Sequence, residues 1–225
     1  KSWIERVSLE TKLLNPLDVV CWNLNKGYLL DLEERGVPIA PTEWLSESVS
    51  VRELMEKNGW EKGFLKPVVG ASASDTFRFT LSECTEAQIF LDNVISEKEM
   101  MLQPYLERVE TEGEFSAIYF SGKLSHCVQK IPVKGDYRVQ DDYGASDYAV
   151  EPILGLTRLA ERALKNVSEG WLYARVDALR LVDGTWVLNE LEMVEPSLFF
   201  RHSDSAAEIL VNCIKKFLQP TMSSE

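Results

Sequence analysis

The sequence predicts an α+β fold of two lobes, in which helices alternate with antiparallel hairpins. Two dipeptides typical of tight hairpin turns interrupt apolar runs: Asp183-Gly184 within 171–192, and Ser121-Gly122 in an earlier segment. Asp-Gly between such runs is among the strongest short-range hairpin signals. The helices and strands also lack the regular βαβα order that a parallel sheet requires. These observations favour α+β over a parallel α/β fold.

The first half of the chain is predicted to begin with two helices. A turn at Asn15-Pro16 separates them, and the second runs from about Asn25 to Gly36, a residue type that commonly ends helices. The prolines of VPIAPT (37–42) lack backbone donors, which suits a short extended piece at a sheet edge. The next predicted elements are a helix over 49–58, a strand, loop and strand over 63–79, a helix over 85–97 and, within 100–109, a strand that leads into a connection.

The second half begins with the hairpin 113–133. A polar stretch follows, KGDYRVQDDYGASD (134–147), which is too charged to form core. Apolar residues at helical spacing then predict a helix over 151–167, and the second hairpin is followed by a closing helix over 204–218. The sequence contains no internal repeat.

The composition limits the classes of partner. The 225 residues include 24 basic and 36 acidic side chains, a net charge of −12 at pH 7. This balance argues against nucleic-acid and membrane partners, since both types of binding depend on basic patches. Scattered cysteines and only two histidines argue against a zinc site and favour free thiols in a reducing, cytoplasmic compartment. No apolar run approaches the roughly 18 residues of a transmembrane helix.

Two glutamates alternate along the last predicted strand, in WVLNELEMVEPS (186–197). Glu190 and Glu192 are two residues apart, so both side chains project from one face of the sheet. A two-residue turn at Asp183-Gly184, with Val182 facing Thr185, places Asp177 opposite Glu190 and Arg175 opposite Glu192. On this register the charged residues share their face with four apolar ones, Leu179, Leu181, Trp186 and Leu188.

The placing of Asp177 directly opposite Glu190 needs a physical reason. Like charges directly opposite each other weaken a sheet by roughly 0.2–1 kcal/mol per pair. A bound divalent cation reverses this effect, because magnesium takes oxygen ligands from one or two carboxylates and completes its shell with phosphates and water. The residues alone leave a solvated charged face as the alternative.

Basic residues occur where an anion could use them. Lys66 lies in a predicted strand, where lysine is disfavoured, just before the small-residue loop 70–74. Such a loop lets backbone N–H groups approach an anion closely, although an exposed strand lysine beside an ordinary turn is the alternative. The common phosphate-loop and dinucleotide motifs are absent. The other basic candidates are Lys26, Lys130, Arg138 and Arg175.

Seven motifs follow one another between about residues 22 and 200. They are NK-x-Y (25–28), GVPI-x-PT (36–42), FLKPVVG (64–70), LQPYL (102–106), KIP-x-x-GDYR (130–138), ARVD (174–177) and NELEMVEP (189–196). Their order and spacing resemble the ATP-grasp superfamily, and within it the glutathione-synthetase-like branch of small carboxylate–amine ligases. The resemblance implies that two α+β lobes hold ATP, and that a carboxylate is joined to an amine, a thiol or a similar nucleophile through an acyl phosphate.

The resemblance also implies roles for the matching residues. The nucleotide-binding set is Lys26 and Lys66 at the phosphates, Gly70, Ala71 and Ser72 in the covering loop, Gln103, Pro104 and Tyr105 at the adenine, and Glu107 at the ribose. The catalytic cations at the transferred phosphoryl group are Lys130, Arg138 and Arg175, and the magnesium or manganese ligands are Asp177, Glu190 and Glu192.

Two features depart from the family pattern. The last metal ligand is often Asn, in E-x-N, whereas this chain has Glu192, which can still coordinate magnesium. The loop GASAS (70–74) has fewer glycines than the loops of many relatives.

The resemblance divides the chain into a helix and linker remaining from a preceding domain (1–21), an N-terminal lobe (22–105) and a C-terminal lobe (106–225). Relatives carry an N-terminal α/β domain that forms part of the acceptor-substrate site, and we expect this chain to begin at its last helix. Either the fragment lacks that domain or a partner protein supplies it; a homodimer is the other predicted assembly.

The implied function is an ATP- and magnesium-dependent ligase acting on small-molecule carboxylate and amine substrates. The alternative from another class is a non-catalytic ATP-binding module with a regulatory or interaction role. A third interpretation, an acidic structural protein without a ligand, leaves the carboxylate pair unexplained.

Overall fold

The computed structural model describes residues 2–70, 75–139 and 143–219, which form helices and two antiparallel sheets. The predicted α+β class is therefore confirmed. The helices are α1 (Ser2–Glu10), α2 (Leu17–Asn23), α3 (Tyr28–Glu34), α4 (Val51–Asn58), α5 (Cys84–Val94), α6 (Arg108–Glu112), α7 (Leu154–Leu164) and α8 (Ala206–Leu218). The strands are β1 (Glu43–Leu45), β2 (Lys62–Pro67), β3 (Phe77–Thr80), β4 (Met100–Pro104), β5 (Glu114–Phe120), β6 (Lys123–Ile131), β7 (Ser146–Val150), β8 (Tyr173–Arg180) and β9 (Trp186–Glu192).

The first sheet has the strand order β1-β4-β2-β3. Its core lies against α4 and α5, where Met55 and Leu91 pack with the sheet residues Leu65 and Met100. Because side chains alternate along a strand, Phe64 and Lys66 face the opposite side of β2 from Leu65. This alternation turns a lysine of the first sheet toward the second sheet.

The second sheet has the order β7-β6-β5-β8-β9, with β5 at its centre. One face packs against the apolar stripe of α7, which includes Leu156, Ala160 and Ala163, and against residues of α2 and α3 such as Leu32. The predicted helix over 151–167 is thus confirmed in type. The opposite face carries the polar side chains described below.

The turn between β8 and β9 differs from the predicted two-residue turn. Leu181 N–H donates to Thr185 O at 2.8 Å, so the loop has three residues, 182–184, and Gly184 adopts φ +90°. The prediction that Val182 faces Thr185 is wrong, because an Asp-Gly pair also suits a three-residue hairpin loop with glycine at the left-handed position.

A β-bulge at Asn189 restores the predicted register beyond the turn. Asp177 pairs with Glu190, but Ala178 pairs with Leu188, so Asn189 is one extra residue in β9. The predicted pairs Asp177–Glu190 and Arg175–Glu192 are confirmed.

The prediction that four apolar residues share the face of the charged ones is right for two of them and wrong for the other two. Leu179 and Leu181 lie on the charged face, whereas Trp186 and Leu188 pack in the core under α7. The extra residue in the bulge shifts the alternation of inward and outward side chains along β9.

Side chains from the N-terminal helices cover the outer edge of β9. Asn23 donates to Leu191 O at 2.7 Å and accepts from Met193 N–H at 2.8 Å, and the Tyr28 hydroxyl accepts from Leu191 N–H at 2.9 Å. The predicted extended piece 37–42 also reaches this edge, because Leu188 N–H donates to Pro38 O at 2.8 Å. The strand that carries Glu190 and Glu192 is therefore held on both sides.

Four of the described helices and strands were not predicted as such: α2, β1, α6 and β7. Strand β7 overlaps the polar stretch 134–147. It lies at the edge of the sheet and its side chains are largely exposed, so its sequence lacks the apolar pattern that would predict a strand. All four cysteines are free thiols. Within the ranges that the structure describes, no helix is long and apolar enough to span a membrane.

Candidate active site

A cleft of about 760 Å³ lies between the two sheets and is lined by residues of both. Its volume is in the usual range for small-molecule sites. Most of the predicted site residues line it: Lys26, Lys66, Gly70, Gln103, Pro104, Tyr105, Lys130, Arg138, Arg175, Asp177, Glu190 and Glu192. Ala71 and Ser72 lie outside the described residues.

Arg175 and Asp177 form the centre of a buried charge network on the second sheet. The Arg175 guanidinium donates to both oxygens of Asp177, at 3.0 Å from Nε to Oδ1 and 2.9 Å from Nη2 to Oδ2. Its Nη2 also donates to Glu192 Oε1 at 2.5 Å, and Ser116 Oγ donates to Asp177 Oδ1 at 2.5 Å. Both oxygens of Asp177 are therefore engaged.

Lys130 connects Asp177 to a second buried carboxylate, Glu114. Its ammonium lies 3.3 Å from Asp177 Oδ1 and contacts Glu114 Oε1. Burial disfavours the charged lysine, but Asp177 and Glu114 outweigh burial and raise the pKa of Lys130 above its ordinary value. Lys130 thus carries a positive charge in the floor of the cleft.

Burial and neighbouring charges also shift the carboxylates. Burial alone would raise the pKa of Asp177, but Arg175 and Lys130 hold that pKa below its ordinary value. Burial, together with the charge of Asp177, raises the pKa of Glu192 to about 7, although Arg175 opposes this shift. The pair of strands therefore holds one firmly ionised carboxylate beside one that protonates easily.

Two lysines approach the same face from the other side of the cleft. Lys26 Nζ lies 3.6 Å from Glu190 Oε1 and donates to Gly70 O at 2.8 Å. Lys66 Nζ lies 3.9 Å from Glu190 Oε1. Burial lowers the pKa of Lys66, and Glu190 opposes that shift. The predicted phosphate lysines thus meet a predicted metal ligand in the folded chain.

An aromatic cluster lies at one end of the cleft. Tyr137 makes edge contacts with Phe64 and Tyr105, at ring-centroid distances of 5.1 and 6.3 Å, and its hydroxyl lies 2.9 Å from Thr76 Oγ1. Arg78 lies over the rings of Tyr105 and Tyr137. Apolar residues beside this cluster, Val109, Val139 and Leu179, give that end the character of a site for a flat ring.

Two of the predicted residues have other partners. Glu107 does not line the cleft: its carboxylate accepts from Lys62 on the outer surface. Arg138 does line the cleft, but its guanidinium pairs with Asp136, at 2.6 Å from Nη2 to Oδ2, and stacks on Tyr143.

Sequence reasoning missed Glu114, Ser116 and Asn189. Glu114 and Ser116 stand two apart in the otherwise apolar strand β5, which is a signal of one polar face. The pairing of Ser116 with Asp177 joins strands distant in the chain, so no local pattern reveals it. Asn189 reaches the cleft through the bulge.

Within residues 2–70, 75–139 and 143–219, no three His, Cys, Asp or Glu side chains lie close enough together to hold a metal ion alone. Glu190 and Glu192 are partly open to the cleft, with 26% and 32% of their side-chain surface exposed. Asp177 is 3% exposed, so it must release part of its contact with Arg175, Lys130 or Ser116 to reach a metal.

Comparison with known proteins finds relatives over nearly the whole chain, although no family model matches it. A curated relative, the cycloserine biosynthesis protein DcsG of Streptomyces lavendulae, is 28% identical over 236 residues, covering 97% of this chain and 78% of the relative. The crystal structure of D-cycloserine synthetase DcsG superposes with a TM-score of 0.87 at 26% identity, with the same coverage of both chains.

More distant structures share the fold alone. The ATP-grasp ligase PsnB, solved with a precursor variant, Mg and ADP, gives a TM-score of 0.69 at 19% identity and covers 93% of this chain and 63% of its own. The D-alanine–D-alanine ligase of Bacillus anthracis, complexed with ATP, gives 0.65 at 19% identity and covers 90% and 68%.

Proposed function

We propose that the chain is a member of the ATP-grasp superfamily and an ATP-dependent ligase that joins a carboxylate to an amine or a similar nucleophile. The observation that carries this proposal is the meeting of four cations with four carboxylates between the two sheets. The cations are Lys26, Lys66, Lys130 and Arg175, and the carboxylates are Glu114, Asp177, Glu190 and Glu192.

The four cations suit a triphosphate. Phosphoryl transfer depends mainly on positioning and on neutralising the charge that develops on the transferred group. We propose that Lys26 and Lys66 bind phosphate oxygens from the side of the first sheet, and that Lys130 and Arg175 neutralise the transferred phosphoryl group from the second. Arg138 joins them once its guanidinium is free of Asp136.

The donor set suits magnesium. Magnesium commonly binds proteins through one or two carboxylates and takes its other oxygens from substrate phosphates and water, so a closed protein cage is not required. We propose Glu190 and Glu192 as the open ligands and Asp177 as a third, freed from part of its contact with Arg175. When bound, magnesium supplies charge neutralisation and orients the phosphates.

The aromatic end of the cleft suits the adenine. Gln103, Pro104 and Tyr105 form the end of β4 and the chain leaving the first sheet, and they line the cleft. We propose that their backbone contacts the base and that Leu179 packs against the ring. The first sheet ends at Pro104 and the second begins at Glu114, which supports a division between the lobes near residue 105.

The substrates are proposed by class. DcsG is a D-cycloserine synthetase and another structural neighbour is a D-alanine–D-alanine ligase, so we propose a small carboxylate and a small amine. Leu24, Glu195, Ser197 and Phe199 also line the cleft, and Arg175 donates to Ser197 O at 3.2 Å. We place the carboxylate substrate there.

The test is phosphate release from ATP by the full chain with magnesium and a panel of small carboxylates and amines. We expect release that needs a carboxylate and rises with a matching amine, and hydroxylamine should trap the activated carboxyl group as a hydroxamate. Samples with EDTA are the control. Binding of ATP without release for any pair would instead support the non-catalytic module.

A further inference from the structure

Asn189 occupies the bulge in β9, between Leu188 in the core and Glu190 in the cleft. In a regular strand, a residue next to Glu190 would project from the opposite face. The bulge redirects it, so Asn189 and Glu190 both line the cleft. β-Bulges commonly redirect a side chain in this way beside active sites.

The Asn189 amide bridges the two sheets. Its Oδ1 accepts from Lys66 Nζ at 3.3 Å, and its Nδ2 donates to Glu114 Oε2 at 2.5 Å. Lys66 belongs to β2 of the first sheet, whereas Glu114 belongs to β5 of the second. The partners fix the orientation of the amide, because a flipped amide would direct its NH₂ at an ammonium and its carbonyl at a carboxylate.

The bridge continues into the buried charge network. The other oxygen of Glu114 contacts Lys130, which lies 3.3 Å from Asp177. Lys66 is itself buried, with only 8% of its side chain exposed. Its position therefore depends on a chain of contacts that ends at the carboxylates of the second sheet.

We propose that Asn189 is a positioning residue that holds Lys66 in place for a phosphate of ATP; this inference rests on the function proposed above. An amide fits the position because it is neutral and combines an acceptor for an ammonium with a donor for a carboxylate. Aspartate could not donate to Glu114 and would add a like charge beside it, and alanine would make neither bond.

The test is calorimetric titration of a nonhydrolysable ATP analogue with magnesium into four proteins: wild type, Asn189→Ala, Lys66→Met and the double variant. Asn189→Ala should weaken binding about tenfold in the wild-type background, in line with the loss of a hydrogen bond to a charged group. In the Lys66→Met background the same change should weaken binding less than about twofold, since its target is gone.

Asn58→Ala is the matched control, because Asn58 lies on α4 and bonds Glu43 and Leu54 O away from the cleft. Its affinity for the analogue should equal that of the wild type. Equal losses from Asn189→Ala with and without Lys66 would overturn the inference, as would a lowered melting temperature with unchanged affinity. Absence of binding by the wild type would show instead that the proposed function fails, and the inference would fail with it.

Discussion

Replacing Asp177 by Asn is expected to abolish ATP-dependent turnover, with kcat lowered by about 10²-fold or more. The amide cannot neutralise Arg175 and Lys130, which both contact the carboxylate in the folded chain. It is also a poorer ligand for magnesium than a carboxylate. The measurement is phosphate release with saturating ATP and substrates.

The same substitution should cost stability. Arg175 keeps Glu192 and Lys130 keeps Glu114 as partners, but both buried cations lose the carboxylate that they share, and removing one partner of a buried ion pair costs about 3 kcal/mol. Activity is therefore measured at a temperature where circular dichroism shows a folded chain. Glu112→Gln is the control, since Glu112 pairs with Arg108 and Arg180 outside the cleft and should keep full turnover. Wild-type turnover by Asp177→Asn would remove Asp177 from the site.

Replacing Lys66 by Met is expected to weaken binding of a magnesium-bound ATP analogue by about tenfold or more, because charged hydrogen bonds to phosphate are strong and this lysine is shielded from water. Methionine keeps most of the volume of the lysine side chain, so the surroundings of β2 should remain packed. The measurement is the dissociation constant from calorimetric titration.

Lys62→Met is the matched control for Lys66→Met. Lys62 lies on the same strand, but its ammonium pairs with Glu107 on the outer surface. This variant should bind the analogue as the wild type does. If Lys66→Met also bound it with unchanged affinity, Lys66 would have no part in the nucleotide site.

The charged hairpin shows both the reach and the limit of sequence reasoning. The pairs Asp177–Glu190 and Arg175–Glu192 could be predicted from spacing and an Asp-Gly turn, and the structure has both. In the structure, however, the loop has three residues rather than two, and the extra residue Asn189 in the bulge offsets this difference. Between the turn and the bulge the predicted register is therefore wrong by one residue, and such a shift reverses the face of every side chain. The prediction thus places Trp186 and Leu188 on the wrong face of the sheet.

The parts of the site that the sequence could not show depend on distant pairings. Ser116 reaches Asp177 only because β5 lies beside β8. Glu114 instead pairs with Lys130 on the neighbouring strand β6 of the same hairpin, where a register shift between Ile118 and Tyr119 hides the pairing from the sequence. Asn23 supports β9 by bonding the backbone on both sides of Glu192, at Leu191 and Met193. No local periodicity distinguishes such an asparagine from a surface one.

The measurement that tests the central claim most directly is calorimetric titration of the full chain with a nonhydrolysable ATP analogue, with and without magnesium. If the cleft is the nucleotide and metal site, the analogue binds at one site per chain and magnesium strengthens that binding. The strengthening should disappear in Glu190→Gln, which removes an open carboxylate of the proposed metal site. No binding in either condition, or binding that magnesium and Glu190→Gln leave unchanged, would contradict the account.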